Sequence, residues 1–183
     1  MPLLARLCLL VCLSLPASLS AQTTQTDPST KADAAAAVAN GQKIGAWSVT
    51  CLAVAVNQTS CTLNQRVMRA KDNAFVADLV ATRNDAGQTF IAARVPVGVY
   101  LPAGFGMRPA ESDDPDEVMQ FAWQVCSREV CEAVIELEPA QAEALSAEDN
   151  TMIAAFRPSA KSEPFLFQFS MTGLNEGLTA IGR

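Results

Sequence analysis

Four cysteines in the body of this 183-residue chain form two close pairs set far apart, Cys51 with Cys61 and Cys126 with Cys131, and there is no histidine. Thiols stay reduced in the cytosol and oxidise outside it, so such a set reads as two local disulfides in an exported domain. Four cysteines allow three pairings, and spacing alone leaves the other two open. The intervening residues favour Cys51–Cys61 and Cys126–Cys131. Asn57-Gln58-Thr59-Ser60 carries turn chemistry that brings the first pair together across a hairpin, and Ser127-Arg128-Glu129-Val130 makes a four-residue loop of the second. Closing loops this short stabilises a fold by roughly 2–3 kcal/mol each on chain-entropy grounds. A four-thiolate zinc site spaces its paired cysteines by about two to four residues, which Cys126 and Cys131 barely meet and Cys51 and Cys61 miss. A redox dithiol needs two residues between its sulfurs, and Cys126 and Cys131 have four.

The other two cysteines, Cys8 and Cys12, lie in an apolar leader. Arg6 supplies a thin positive start, Leu7 to Leu13 is an unbroken apolar run, Pro16 breaks it, and Ser18, Ser20 and Ala21 offer small residues for cleavage. The run falls short of the roughly 20 residues that a spanning helix needs. Residues 1–21 are therefore expected to be a cleaved secretory signal that places the protein in a bacterial periplasm or outside the cell, with no membrane span in the mature chain. Residues 22–43, rich in Thr, Gln, Asp, Ser and Ala and without an aromatic, are expected to be a flexible linker, since they bury too little apolar surface to offset ordering. Residues 44–183 are long enough for one domain with a real core.

Short alternating runs recur through this domain between turn signals, the pattern of an all-β fold. Trp47, Val49 and Cys51 share one face, as do Cys61, Leu63 and Val67; 76–82 and 89–95 continue the series. Phe121, Trp123 and Val125 are expected on a common face, and so are Cys131, Ala133, Ile135 and Leu137 opposite Glu132, Glu136 and Glu138. Residues 152–156 read as a strand, and Phe165, Phe167, Phe169 and Met171 give the clearest buried face in the chain. A helix is expected over 139–148, and a short helical turn within 172–181. The count is about eight strands and one or two helices.

Without histidine there is no Ser-His-Asp or Cys-His catalysis and no histidine-ligated metal. A pair of carboxylates remains a conceivable hydrolytic centre. The densest acidic run, Glu111-Ser112-Asp113-Asp114-Pro115-Asp116-Glu117, reads as a solvated loop; its sharper alternative is a weak calcium site at Asp113, Asp114, Asp116 and Glu117. That run lacks the Gly and the spaced Glu of a calcium-binding loop. The net charge is −6, with twelve acidic residues against one basic from Glu111 to Asp149. No phosphate loop, dinucleotide fingerprint or basic-aromatic surface pattern is present, so no cofactor and no nucleic acid are expected.

Several segments in fixed order carry a resemblance. Trp47-Ser48-Val49-Thr50-Cys51 is followed by Cys61-Thr62-Leu63-Asn64-Gln65, then by Val95-Pro96-Val97-Gly98-Val99-Tyr100-Leu101-Pro102-Ala103-Gly104. The pair Cys126 and Cys131 comes next, and Phe169-Ser170-Met171-Thr172-Gly173-Leu174 closes the series. This order resembles the invasion-associated locus B (IalB) family of exported alphaproteobacterial proteins over about Ile44 to Ile181. The resemblance implies an immunoglobulin-like β-sandwich with two disulfides in the periplasm or at the surface, and a family linked to host-cell entry in pathogens. It supplies no catalytic residues. The acidic insert at 111–117 and Leu174, where a Phe is usual after Gly173, depart from the family pattern.

The Pro96–Gly106 stretch is either a bent strand and corner, whose Pro and Gly serve backbone geometry, or a ligand-facing loop with Tyr100, Phe105 and Arg108 as contacts. The expected function is a non-enzymatic exported β-sandwich that binds a protein or an envelope component. An envelope hydrolase using carboxylates and a structural or stress-protective envelope domain are the alternatives. Partner identity and oligomeric state are not legible in the residues. A binding module shows an apolar patch or an open sheet edge, whereas an enzyme shows a cleft with converging titratable groups.

Overall fold

Period-two alternation dictates sheet, and the computed structural model, which describes residues 38–146 and 150–182, is built almost wholly from antiparallel strands. In chain order they are β1 (Lys43–Ile44), β2 (Trp47–Ala55), β3 (Gln58–Met68), β4 (Phe75–Arg83), β5 (Thr89–Pro96), β6 (Phe105–Pro109), β7 (Met119–Cys126), β8 (Val130–Leu137), β9 (Thr151–Phe156) and β10 (Phe165–Ser170). Their hydrogen-bonded order is β1-β2-β3-β4-β5-β8-β7-β6-β9-β10. The expected leader and residues 22–37 of the expected linker lie outside the described residues. Residues 40–42 of that linker are hydrogen-bonded to β2: Gly41 N–H to Val49 O at 2.8 Å, Val49 N–H to Gln42 O at 2.8 Å, and Cys51 N–H to Asn40 Oδ1 at 3.0 Å.

An immunoglobulin-like sandwich of about eight strands was expected, and the ladders describe one curled sheet of ten. Two strands hid in the sequence: β1 has only two residues, and β6 is broken up by Gly106 and Pro109. Strand β7 turns the sheet's corner. Its residues 119–121 pair with β6 and its residues 122–126 with β8, so one strand serves two differently facing parts of the sheet. A bulge between Trp123 and Val125 adds to this bend and breaks the alternation. Phe121 is therefore buried and Val125 exposed, contrary to the common face that spacing predicts.

The concave side of the curl holds the core. Trp47, Val49, Leu63, Leu79 and Ile91 line one part, and Phe105, Met107, Met152, Phe167 and Phe169 the other. Phe105 sits edge-on to Phe121 with ring centres 4.9 Å apart, within the range that favours aromatic pairs. Two helices close the open sides. α1 (Pro139–Leu145) begins with Pro at a position where no intrahelical N–H is needed, and Gln141 Oε1 accepts from the Glu138 N–H. It ends at Leu145, short of the expected 148, where Ser146 caps it. α2 (Leu174–Ile181) buries Leu174, Gly177 and Leu178. Gly177 lets it lie close, because a Cβ there would come within 2.6 Å of Leu63 Cδ1.

The first and last segments of the domain meet at a tight seam. Ala46 N–H donates to Thr172 O at 3.0 Å. Gln65 Nε2 donates to Ala46 O at 3.1 Å and Ser170 O at 3.0 Å, and its Oε1 accepts from Ser170 N–H at 3.2 Å. Gly45 and Gly173, both at positive φ, let the two backbones touch; a Cβ on Gly173 would lie 2.6 Å from Ile44 O. Gly87 has nearly the same φ, +84° against +85°, but open space around it. Gly87→Ala should therefore cost about 1–2 kcal/mol from backbone conformation alone. Gly173→Ala should lose roughly 1–3 kcal/mol more from the clash. Equal losses in urea unfolding would show that the seam is not tight.

Candidate functional site

Both disulfides join residues that lie directly opposite on neighbouring strands: Cys51 with Cys61 across β2 and β3, and Cys126 with Cys131 across β7 and β8. The second closes a turn held by Ser127, whose Oγ accepts from the Glu129 and Val130 N–H groups at 3.2 and 3.1 Å. The first sits at the base of a projecting ribbon. Pairing of β3 with β4 starts only at Leu63, and pairing of β2 with β1 stops at Ser48. Residues 52–62 thus form a two-stranded ribbon with no further strand beside it among the described residues. Its turn is made by Val56 and Asn57, with Asn57 at φ +59°. Leu52, Val54 and Val56 are 66, 63 and 90 % exposed on it. No charged residue occurs between Lys43 and Arg66. A lone hairpin is marginal in water, so the disulfide is what holds this apolar tip in shape.

The Pro96–Gly106 stretch is a bent corner. Tyr100 N–H donates to Arg157 O at 2.7 Å, Leu101–Ala103 form a single 3₁₀ turn, and Gly104 at φ +76° ends it and leads into β6. The three expected contacts do not converge. Phe105 is fully buried and belongs to the core, because alternation along β6 sends Phe105 and Met107 inward. Tyr100 is partly exposed on the corner. Arg108 lies on the outer face, where it lines a cleft of about 170 Å³.

This cleft runs across the outer face of β7, β6, β9 and β10, and sequence reasoning missed most of it. Its floor is Gly106 and Ala155, which are register partners, and Leu166 stands next to Ala155 on β10. Val118 and Gln120 form the opposite wall, and Arg157 and Arg108 lie towards its two ends. A sheet face turned to water should alternate to polar residues, yet Ile153, Ala155 and Leu166 are apolar, and Leu166 is 62 % exposed. That departure was the available signal.

The acidic run is held by local contacts. Asp113 pairs with Arg108 at 3.0 Å, the Asp114 carboxylate accepts from Asp116 N–H at 2.9 Å, and Ser112 Oγ accepts from Asp114 N–H. Asp113, Asp114, Asp116 and Glu117 do not gather into a cation site; among the described residues no three acidic or cysteine side chains do. Thr89 is the one polar side chain counted as buried among them. Asp72 has its carboxyl held below the usual carboxylate range by the Arg69 guanidinium and the Ala74 amide, as an exposed ion pair. Shifts of this kind accompany surface ion pairs as well as catalytic groups.

No helix of the described residues is long and apolar enough to cross a membrane. Replacing Cys51 and Cys61 together with Ala should lower stability by roughly 2–3 kcal/mol. Amide exchange should rise in residues 52–62 while β4 and β5 stay protected. Loss of protection throughout the sheet would contradict a local role.

Comparison with known proteins agrees with this architecture. The crystal structure of invasion associated protein B from Bartonella henselae superposes with a TM-score of 0.63 at 17 % identity, covering 76 % of this chain and 92 % of that one. Curated protein sequences give no match. The family model described as Invasion associated locus B (IalB) protein matches residues 47–182, from the tryptophan of β2 to the glycine that follows α2, and the chain belongs to that family.

Proposed function

We propose that this protein is an exported, non-enzymatic binding domain that engages a protein or envelope partner through the β2–β3 ribbon. The observation that carries this is the apolar tip: three large side chains in water, on a disulfide-held ribbon with open edges and no charge. Burying them against a partner removes apolar surface from water at about 25 cal/mol per Å², and the open strand edge offers backbone groups for pairing. Export rests on the leader at 1–21, and the two disulfides fit an oxidising periplasm or cell exterior. The family's association with host-cell entry names a kind of surface to be met and no reaction.

A hydrolase built on two carboxylates has less behind it. Among the described residues no Asp or Glu is buried; none lines this cleft, and Glu143 and Glu176, which line another hollow beside α1 and α2, are both exposed. A catalytic acid needs burial or a like-charged neighbour to hold its proton near neutral pH.

Tagged chain incubated with envelope extract and chemically cross-linked should capture a partner. The double substitution Leu52→Asp with Val56→Asp should abolish capture and leave the melting temperature unchanged, since both side chains already face water. Capture that survives both changes would remove the ribbon from the account.

A further inference from the structure

We propose that the cleft on the outer face of β6, β9 and β10 docks a short acidic peptide segment of a partner protein. One large apolar side chain would seat over Gly106 and Ala155, and flanking carboxylates would reach Arg108 and Arg157. The proposal shares with the preceding section the view of the chain as a binding domain, and it does not depend on the ribbon.

The floor is open because Gly106 has no side chain. A Cβ there would lie 3.0 Å from Val118 Cγ1 and 3.2 Å from Gln120 Nε2, so any other residue would crowd the wall and fill the hollow. Its partner Ala155 is the next smallest choice, and Leu166 beside it gives an apolar flank. At about 170 Å³ the hollow is smaller than the roughly 300–1,000 Å³ of small-molecule sites. It holds one large side chain, and the long acyl chain of a membrane lipid would exceed it. Being open on a sheet face, it lets a peptide enter and leave at either end.

Charge fixes the ends. The chain carries −6 overall, yet this cleft is lined by two arginines and by no carboxylate. Arg108 is the register partner of Ile153 and Arg157 follows four residues later on the same chain, which separates their backbones by about 13 Å along the strand. That span suits acidic residues placed on each side of a central apolar one in an extended peptide. Both guanidiniums can be recruited. Arg108 is held by Asp113, whose side chain is 99 % exposed, and exposed pairs contribute only about 0–1 kcal/mol. Arg157 has a 3.5 Å contact from Nη1 to Ser162 O and no carboxylate within 4.0 Å among the described residues. An arriving carboxylate gains charge-assisted, bidentate hydrogen bonds at either arginine.

The test is selection of a randomised heptapeptide phage library on the purified chain, followed by fluorescence polarisation with labelled copies of the selected peptides. The expected result is enrichment of an apolar residue flanked by Asp or Glu. Binding should weaken at least about tenfold with Arg157→Glu and with Ala155→Phe, and stay unchanged with Leu52→Asp. Circular dichroism melts identify any variant that has lost its fold, and two unrelated substitutions keep the test decisive if one has. Enrichment of neutral or basic peptides, or affinity indifferent to both cleft substitutions, would overturn the proposal. So would binding to phosphatidylglycerol vesicles that both cleft substitutions remove. Loss of binding with Leu52→Asp alone would move the site to the ribbon, rejecting the cleft while leaving the binding-domain account standing.

Discussion

Gln65 is where a sheet of ten strands becomes a closed body. Its side-chain amide, on β3, makes three hydrogen bonds to backbone at the β1–β2 turn and at the end of β10, segments that stand at opposite ends of the strand order. Glycines at 45 and 173 let the backbones come close enough for that span. An antiparallel sheet twists but does not by itself bring its first and last strands together. Here the half-buried Gln65 side chain and the Ala46–Thr172 backbone bond do so, and each such hydrogen bond contributes about 1 kcal/mol, which gives the seam its specificity. Trp47, Phe169, Met171 and Leu174 lie close by in sequence to the seam residues and are buried, so opening it would wet the apolar interior.

Closure at this seam and the bend in β7 together decide which faces meet water. Once β6, β9 and β10 turn Phe105, Met107, Phe167 and Phe169 inward, alternation leaves Gly106, Arg108, Ala155 and Leu166 outside. The cleft is thus a by-product of core patterning with an unusual choice of outward residues. The ribbon arises differently: β2 and β3 run on together past the last residues that pair with β1 and β4, and the surplus projects under the control of a disulfide. The cleft is built on paired strands and the ribbon is closed by a disulfide, so binding at either, as proposed, would order little further backbone.

Much of this was legible in the residues because it rests on period-two patterning and cysteine spacing. The Phe165–Met171 face and the closing helix follow from local sequence, the disulfide pairs are the ones that the intervening turn residues favoured among three pairings, and the family membership agrees with the segments that carried the resemblance. What was not legible depends on pairing over long distances. A two-residue strand such as β1 has no periodicity to detect, and Gly106 and Pro109 disguise β6 as a loop. The bulge that exposes Val125 is a register shift in the pairing of β7 with β8, which spacing within β7 does not reveal. Phe105 illustrates the same limit at the candidate site, since an aromatic between two glycines reads equally as a contact or as core until its register is known. Arg157 and Leu166 enter the cleft from segments that spacing alone does not connect to Arg108.

The seam is tested most directly by native-state hydrogen exchange of the Ala46 and Ser170 amides, followed residue by residue by NMR. Each donates one of the bonds that join the two ends of the domain. If the seam closes the sheet, both amides exchange only through global unfolding, with the same free energy as the slowest amides of β4 and β5. Exchange at rates typical of frayed strand ends, while β4 and β5 remain protected, would contradict it: the sheet would then hold its curl without the seam.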